Sequence, residues 1–229
     1  MAFVRAEVGP PNYGDPKDKF TVHYFDEKGN MTIRSGGTRA WRCNNPGNLL
    51  ASSYSTGKNR RSIGKAGDAT NQYAVYPDYE TGHEALIVML KGGVYSPLTL
   101  RAAIKRYDRT NPKYIDEVVT ITGLEPERTI KSLSNKEFES FWKAIEKIEG
   151  WEVGREDFIE KWYISAVHKK RGVITEYLVK KNGGSVWISK EEALKLTMEG
   201  RLHAIIVHLK TGHTYLRPEF GSKPFELTS

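Results

Sequence analysis

The chain contains a single cysteine, Cys43, which excludes an internal disulfide framework and any zinc site built from several thiolates. No apolar run approaches the roughly 18 residues that a membrane-spanning helix needs, so membrane insertion is not expected. The opening Met1-Ala2-Phe3-Val4-Arg5 leads to Pro10 and Pro11 rather than to the apolar core of an export signal. The expectation is therefore a protein made in the cytoplasm without a signal peptide, for which any export uses another route. Acidic residues are the minority, 28 against 35 Lys and Arg, for a formal charge of +7. Such a balance favours approach to an anionic surface and by itself selects none among nucleic acid, membrane and bacterial wall polymer. What is present is enough to fold: 38% hydrophobic and 28% charged residues over a length of 229 that favours two domains.

Residues 1–36 are rich in Gly, Pro, Asp and Lys and read as an entry segment with a hairpin, its strand at residues 20–25 and its turn at 27–30. From Trp41 to Gly67 periodicity is nearly absent, which predicts a long ordered loop, and loops of that length are usually functional or disordered. A short strand is expected at residues 73–76, followed by an N-cap at Asp78 and a helix from Glu80 to Lys91. Further helices are predicted over residues 100–107 and from Asn111-Pro112 to Gly123. The best-marked helix begins at the capping box Ser134-Asn135-Lys136-Glu137. It carries Phe138, Phe141, Trp142, Ile145 and Ile148 at helical spacing and stops at Gly150. Beyond about residue 155 the pattern changes. Residues 162–229 read as a hairpin turning at residues 169–172, a helix opened by Ser189, and a second hairpin turning at residues 210–213. The predicted fold is thus α+β: a mainly helical domain over residues 37–155 and a small ββαββ domain over 162–229.

The string Arg42-Cys43-Asn44-Asn45-Pro46-Gly47-Asn48-Leu49, then Ile63-Gly64, then Tyr73-Ala74-Val75-Tyr76-Pro77-Asp78-Tyr79-Glu80-Thr81-Gly82 with Ala85-Leu86, resembles a module of phage lytic and virion proteins and of type VI secretion effectors. That module is similar to lysozyme-like peptidoglycan hydrolases, and the resemblance covers about residues 36–151. It implies a lysozyme-like catalytic domain whose acid-bearing helix, Ala144-Ile145-Glu146-Lys147-Ile148-Glu149-Gly150-Trp151, follows the Asn-rich loop and strand instead of preceding them, a circular permutation. It also implies a hydrolase of the glycan strand, a muramidase or lytic transglycosylase, acting in the periplasm or cell wall of a target bacterium. An antibacterial effector of this kind implies an immunity protein in the producer and a secretion-apparatus partner. Residues 162–229 resemble a small family of unknown function through Gly172-Val173-Ile174-Thr175-Glu176 and Trp187-Ile188-Ser189-Lys190-Glu191-Glu192-Ala193.

Cleaving a glycosidic bond needs a carboxylic acid protonated near neutral pH, and burial against aromatic surface raises a carboxyl pKa. Glu149, at the end of its helix with Trp142 and Trp151 nearby, fits that requirement; it also fits an ordinary last-turn glutamate. Glu80 could be the second carboxylate flanking the scissile bond, and equally complements a helix dipole. Asn44, Asn45 and Asn48 offer amides to N-acetyl sugars or pin their own loop. Tyr76, Tyr73 and Trp151 could stack on sugar rings. A Cys43–His83 pair would instead make a cysteine-dependent amidase, and a module that keeps the shape without the acid would be a non-catalytic wall-binding or virion component. Of His203, His208 and His213, the first two face opposite sides of a strand and the third lies in the following turn, and no Glu lies between helical histidines, so neither metal nor other cofactor is expected. The basic residues Lys58, Arg60, Arg61 and Lys65 could track a wall polymer, while nucleic-acid binding lacks an aromatic and basic platform.

Overall fold

The computed structural model describes residues 2–10, 20–51, 61–181, 184–209, 211–218 and 226–227. Lys58 and Arg60 of the basic loop, and Lys210 of the last predicted turn, lie outside them. The chain divides into two compact units, Met1–Glu27 with Thr32–Asp157, and Lys28–Met31 with Phe158–Ser229.

In the first unit, residues 1–36 supply half of a six-stranded sheet: β1 (Phe3–Gly9), β2 (Thr21–Asp26) and β3 (Met31–Ser35). With β4 (Gly64–Gly67), β5 (Gln72–Val75) and β6 (Arg155–Ile159), the order is β5-β4-β1-β2-β3-β6. The β-branched and aromatic run Thr21-Val22-His23-Tyr24-Phe25 builds a central strand buried along nearly its whole length. β1 runs antiparallel to β2 and parallel to β4, with Ala6 opposite Gly64. Gly64 is required there, because a Cβ would come within 2.0 Å of the Ala6 carbonyl oxygen.

Helices follow on local signals. A short α1 (Arg39–Arg42), not foreseen, is capped by Thr38, and α2 (Tyr79–Lys91) by Asp78, whose side chain accepts from the Thr81 N–H. α3 (Leu100–Tyr107) is capped by Thr99; α4 (Tyr114–Thr122) ends on Gly123 in the left-handed conformation. α5 (Asn135–Glu149) has the full reciprocal capping box of Ser134 and Glu137. Its buried face, Phe138, Phe141, Ala144 and Ile145, joins Leu86, Leu90, Leu100, Ile104 and Val118 in one core, which fixes the direction of the helix and therefore where Glu149 ends up. Ser134→Ala removes the cap of this helix and is expected to cost about 1 kcal/mol, measurable as a shift in the urea midpoint at unchanged slope.

In the second unit β7 (Trp162–Lys170), β8 (Val173–Lys181) and β9 (Gly184–Ser189) form an antiparallel meander. α6 (Lys190–Met198) then crosses to β10 (Leu202–His208), parallel to β7, which pairs with β11 (Thr214–Pro218). The two-residue β7–β8 turn, Arg171-Gly172, has positive φ at both positions, 52° and 80°, as a strongly twisted hairpin requires. A two-residue strand β12 (Glu226–Leu227) adds to β7 beyond the point where β10 leaves it. The second unit thus carries β9 and β12 besides the expected ββαββ elements.

The expectation of a mainly helical fold is overturned. The chain is α+β, but among the described residues two mixed sheets stand beside six α-helices, and residues 37–155, expected to be mainly helical, add β4, β5 and the start of β6 to a sheet whose other three strands come from residues 1–36. The reason is physical: β4 is Gly-Lys-Ala-Gly, without a single β-former, and β1, although Val4, Ala6 and Val8 alternate with Arg5 and Glu7, buries only Ala6 of that face and sits in a segment whose Gly and Pro content reads as irregular. With the mainly helical fold goes the circularly permuted lysozyme-like domain that the resemblance implied.

Candidate functional site

The Asn-Asn-Pro-Gly-Asn turn is held by its own side chains. Asn45 is completely buried; its Nδ2 donates to the Leu49 and Ala74 carbonyls, both at 2.9 Å, and its Oδ1 accepts from the Leu49 N–H at 2.9 Å. Asn44, at φ 49°, donates to the Tyr76 carbonyl at 3.1 Å and accepts from Arg34 at 2.7 Å. Neither side chain reaches solvent to meet a sugar. Tyr76 is fully buried in the helical core, so it offers no stacking face. Gly82 lets α2 press against the turn: a Cβ there would lie 1.8 Å from the Asn44 carbonyl oxygen.

Asn48 is different. At φ 45° and partly exposed, it accepts from Arg39 Nε at 3.0 Å and donates through Nδ2 to Glu149 Oε2 at 2.7 Å. Because a guanidinium can only donate, Arg39 fixes which way the amide faces, and its nitrogen is thereby turned to the carboxylate. Arg39 is itself anchored, donating to the Tyr73 hydroxyl at 2.8 Å with its guanidinium 4.0 Å from the centre of that ring. Glu149 Oε1 accepts from the Tyr114 hydroxyl at 2.8 Å. Tyr107 packs edge-on against Tyr114 and donates to the Gly47 carbonyl. Burial and then the nearby tyrosine and carboxylate push the Tyr114 hydroxyl far above the ordinary phenol range, and burial and Glu149 do the same for Tyr107. Both stay protonated and able to donate. Glu149 is therefore a half-buried carboxylate against two tyrosines, not against the expected tryptophans.

Those tryptophans face α2. Gly150, at φ 77°, turns the chain so that Trp151 meets Tyr79 edge-on at 4.9 Å between ring centres. Trp142 meets His83 in the same manner at 4.4 Å. Beside Trp151 lies an open groove of roughly 470 Å³ lined by Pro46, Tyr79, Glu80, Glu146 and Trp151. Of the sequence candidates this groove gathers Glu80 and Trp151; Glu149 sits one helical turn beyond its Glu146 wall, and Asn44, Asn45 and Tyr76 lie outside it. Thr38 ties the end of α5 to the start of α1, its N–H donating to the Glu152 carbonyl at 2.9 Å and its hydroxyl accepting from the Glu152 N–H at 3.1 Å.

Glu146 and His83 form a pair that sequence reasoning missed. His83 Nδ1 donates to Glu146 Oε1 at 2.6 Å, and the Tyr79 hydroxyl donates to Oε2 at 2.9 Å. Burial and the bond to Glu146 push the Tyr79 hydroxyl up to about 12. The signal was available as two helical spacings, Tyr79 with His83 and Trp142 with Glu146, each four residues apart and so on one face.

Cys43 is fully buried beside Tyr24, Ala66 and Val75, and burial pushes its thiol up to about 12 despite Arg42, Arg39 and Arg34. His83 is engaged by Glu146, so no accessible Cys–His pair exists. In the native chain Cys43 should react with an aromatic disulfide reagent at least about 100-fold more slowly than after unfolding in urea. Rapid native labelling would contradict its placement. His203 stacks on Tyr163 and His208 bonds Thr214; no group of His, Cys, Asp or Glu able to hold a metal occurs among the described residues. Arg61 pairs with Glu84 on α2. No helix among the described residues is long and apolar enough to cross a membrane.

Comparison with protein-family models, with curated proteins and with solved structures returns no match to this chain.

Proposed function

We propose that this chain hydrolyses the glycan strand of peptidoglycan, with Glu149 as the general acid and a groove carboxylate or the substrate's own N-acetyl group assisting. The observation that carries the reading is the setting of Glu149. It is a half-buried carboxylate held from both sides by Asn48 and Tyr114, next along its helix to an open groove with aromatic and carboxylate walls. Tyr114 can donate to the ionised carboxylate or accept from the protonated one, so the site accommodates both states that an acid passes through. Tyr79 and Trp151, each more than a third exposed, offer flat faces for sugar rings. A net positive chain suits an anionic wall. The same reading makes the chain an antibacterial effector that meets the wall of a target cell and is restrained by an immunity protein in its producer.

The test is digestion of purified peptidoglycan by the full chain, with products identified by mass spectrometry. New reducing ends are expected; anhydro ends would assign lytic transglycosylase chemistry in place of hydrolysis. A second reading, wall binding without cleavage, is favoured by one observation: both Glu149 oxygens are engaged by internal donors. Sedimentation of the chain with intact sacculi and no new ends would establish that reading and refute the first.

A further inference from the structure

We infer that Glu146 is the second catalytic carboxylate, taking a proton from the attacking water, and that His83 is the residue that positions it; this rests on the glycan-hydrolase reading above. Three carboxylates are in reach of the groove region. Glu80 is exposed in the first turn of α2, a place where an acidic side chain favours the helix dipole whatever else it does. Glu146 lines the groove with a side chain only 13% exposed, and each of its oxygens has a defined donor. It lies three residues before Glu149 on α5, a spacing that puts both side chains on one helix face with Cβ atoms about 5–6 Å apart. Tyr107 senses both, since Glu149 and Glu146 each push its hydroxyl upward after burial has done so.

The His83 ring is confined by its own surroundings. Tyr79 stacks on it at 5.9 Å and 12°, and Trp142 meets it edge-on at 4.4 Å. With Nδ1 committed to Glu146, the imidazole holds the carboxylate in one rotamer at the groove wall. The charged and titratable groups facing Glu146 are His83, Tyr79 and Glu80 from α2, Tyr107 from the end of α3, and Glu149 from its own helix.

In the step itself, the water oxygen bonds to the anomeric carbon while the bond from that carbon to the bridging oxygen breaks. Its electron pair goes to the bridging oxygen, which takes the proton of Glu149. The water's surplus proton goes to Glu146. One water is consumed, Glu149 is left ionised and Glu146 protonated, and exchange with solvent restores both. Direct attack by water inverts the configuration of the new reducing end, so the two carboxyl groups have to diverge from their neighbouring Cβ atoms to about 6.5–9.5 Å apart around the bound sugar and its water.

The experiment uses the full chain with Glu146→Ala, His83→Ala and His83→Asn on purified peptidoglycan, with and without sodium azide. Glu146→Ala should lower kcat by about 10²–10⁴-fold, and azide, which needs no base, should restore cleavage with a glycosyl azide as product. His83→Ala should lower kcat about tenfold or more at unchanged KM, while His83→Asn, which keeps an N–H donor toward Glu146, should retain most of the rate. If Glu146→Ala does not fold, the isosteric Glu146→Gln carries the same test. Wild-type rates in the Glu146 variants, or a loss that azide does not rescue in a natively folded variant, overturn the inference alone. A wild-type chain that cuts no glycan overturns both it and the reading beneath it.

Discussion

Glu149→Gln is expected to lower the release of new glycan ends by about a thousandfold, equivalent to roughly 4 kcal/mol of lost transition-state stabilisation. The substitution is chosen because the site tolerates its shape. The Gln oxygen can accept from Asn48, and its amide can donate to the Tyr114 hydroxyl, which accepts as well as donates. Folding and wall binding should therefore be preserved while the proton is lost. A variant that binds sacculi normally, melts like the parent and still cleaves at the parental rate would remove Glu149 from the chemistry.

The largest loss of stability is expected from Asn45→Ala. Three hydrogen bonds vanish at once, at a residue with no solvent exposure, and the Leu49 N–H loses its Oδ1 acceptor with no water to replace it. At about 1 kcal/mol per bond plus the penalty for a stranded buried donor, a cost of roughly 3–5 kcal/mol follows. Urea unfolding followed by tryptophan fluorescence would measure it. A change below about 1 kcal/mol would mean that the turn is held by its backbone alone and that Asn45 is not its central support.

The contrast between these two residues shows what the sequence made legible. Signals that act within a few residues could be read: the Ser134–Glu137 box, the stripe from Phe138 to Ile148, the stop at Gly150, the Asp78 cap. Together they placed Glu149 at the end of a helix without any structure. In the Asn-rich turn two roles were available to every amide, and the choice between them depends on burial that no spacing reveals. Asn44 and Asn45 turn inward, whereas Asn48, with its partner 101 residues away, faces the carboxylate. Strand β4 was illegible for the same reason, since it is defined by its neighbours β1 and β5 more than by its own composition. The His83–Glu146 contact joins helices whose sequences gave the individual faces but not their pairing.

The tie between Thr38 and Glu152 has a kinetic consequence. It closes a loop of 114 residues, and the entropy of that closure has to be met before any contact at the end of α5 can repay it. The bond from Asn48 to Glu149 spans nearly the same stretch. Helices α2 to α5 can form from contacts near in sequence, while the Asn48–Glu149 contact waits for the two ends of the unit to meet. During refolding, far-ultraviolet ellipticity should therefore return ahead of the Asn48–Glu149 contact, and on the proposed function a partly folded chain would leave the wall of its own producer intact.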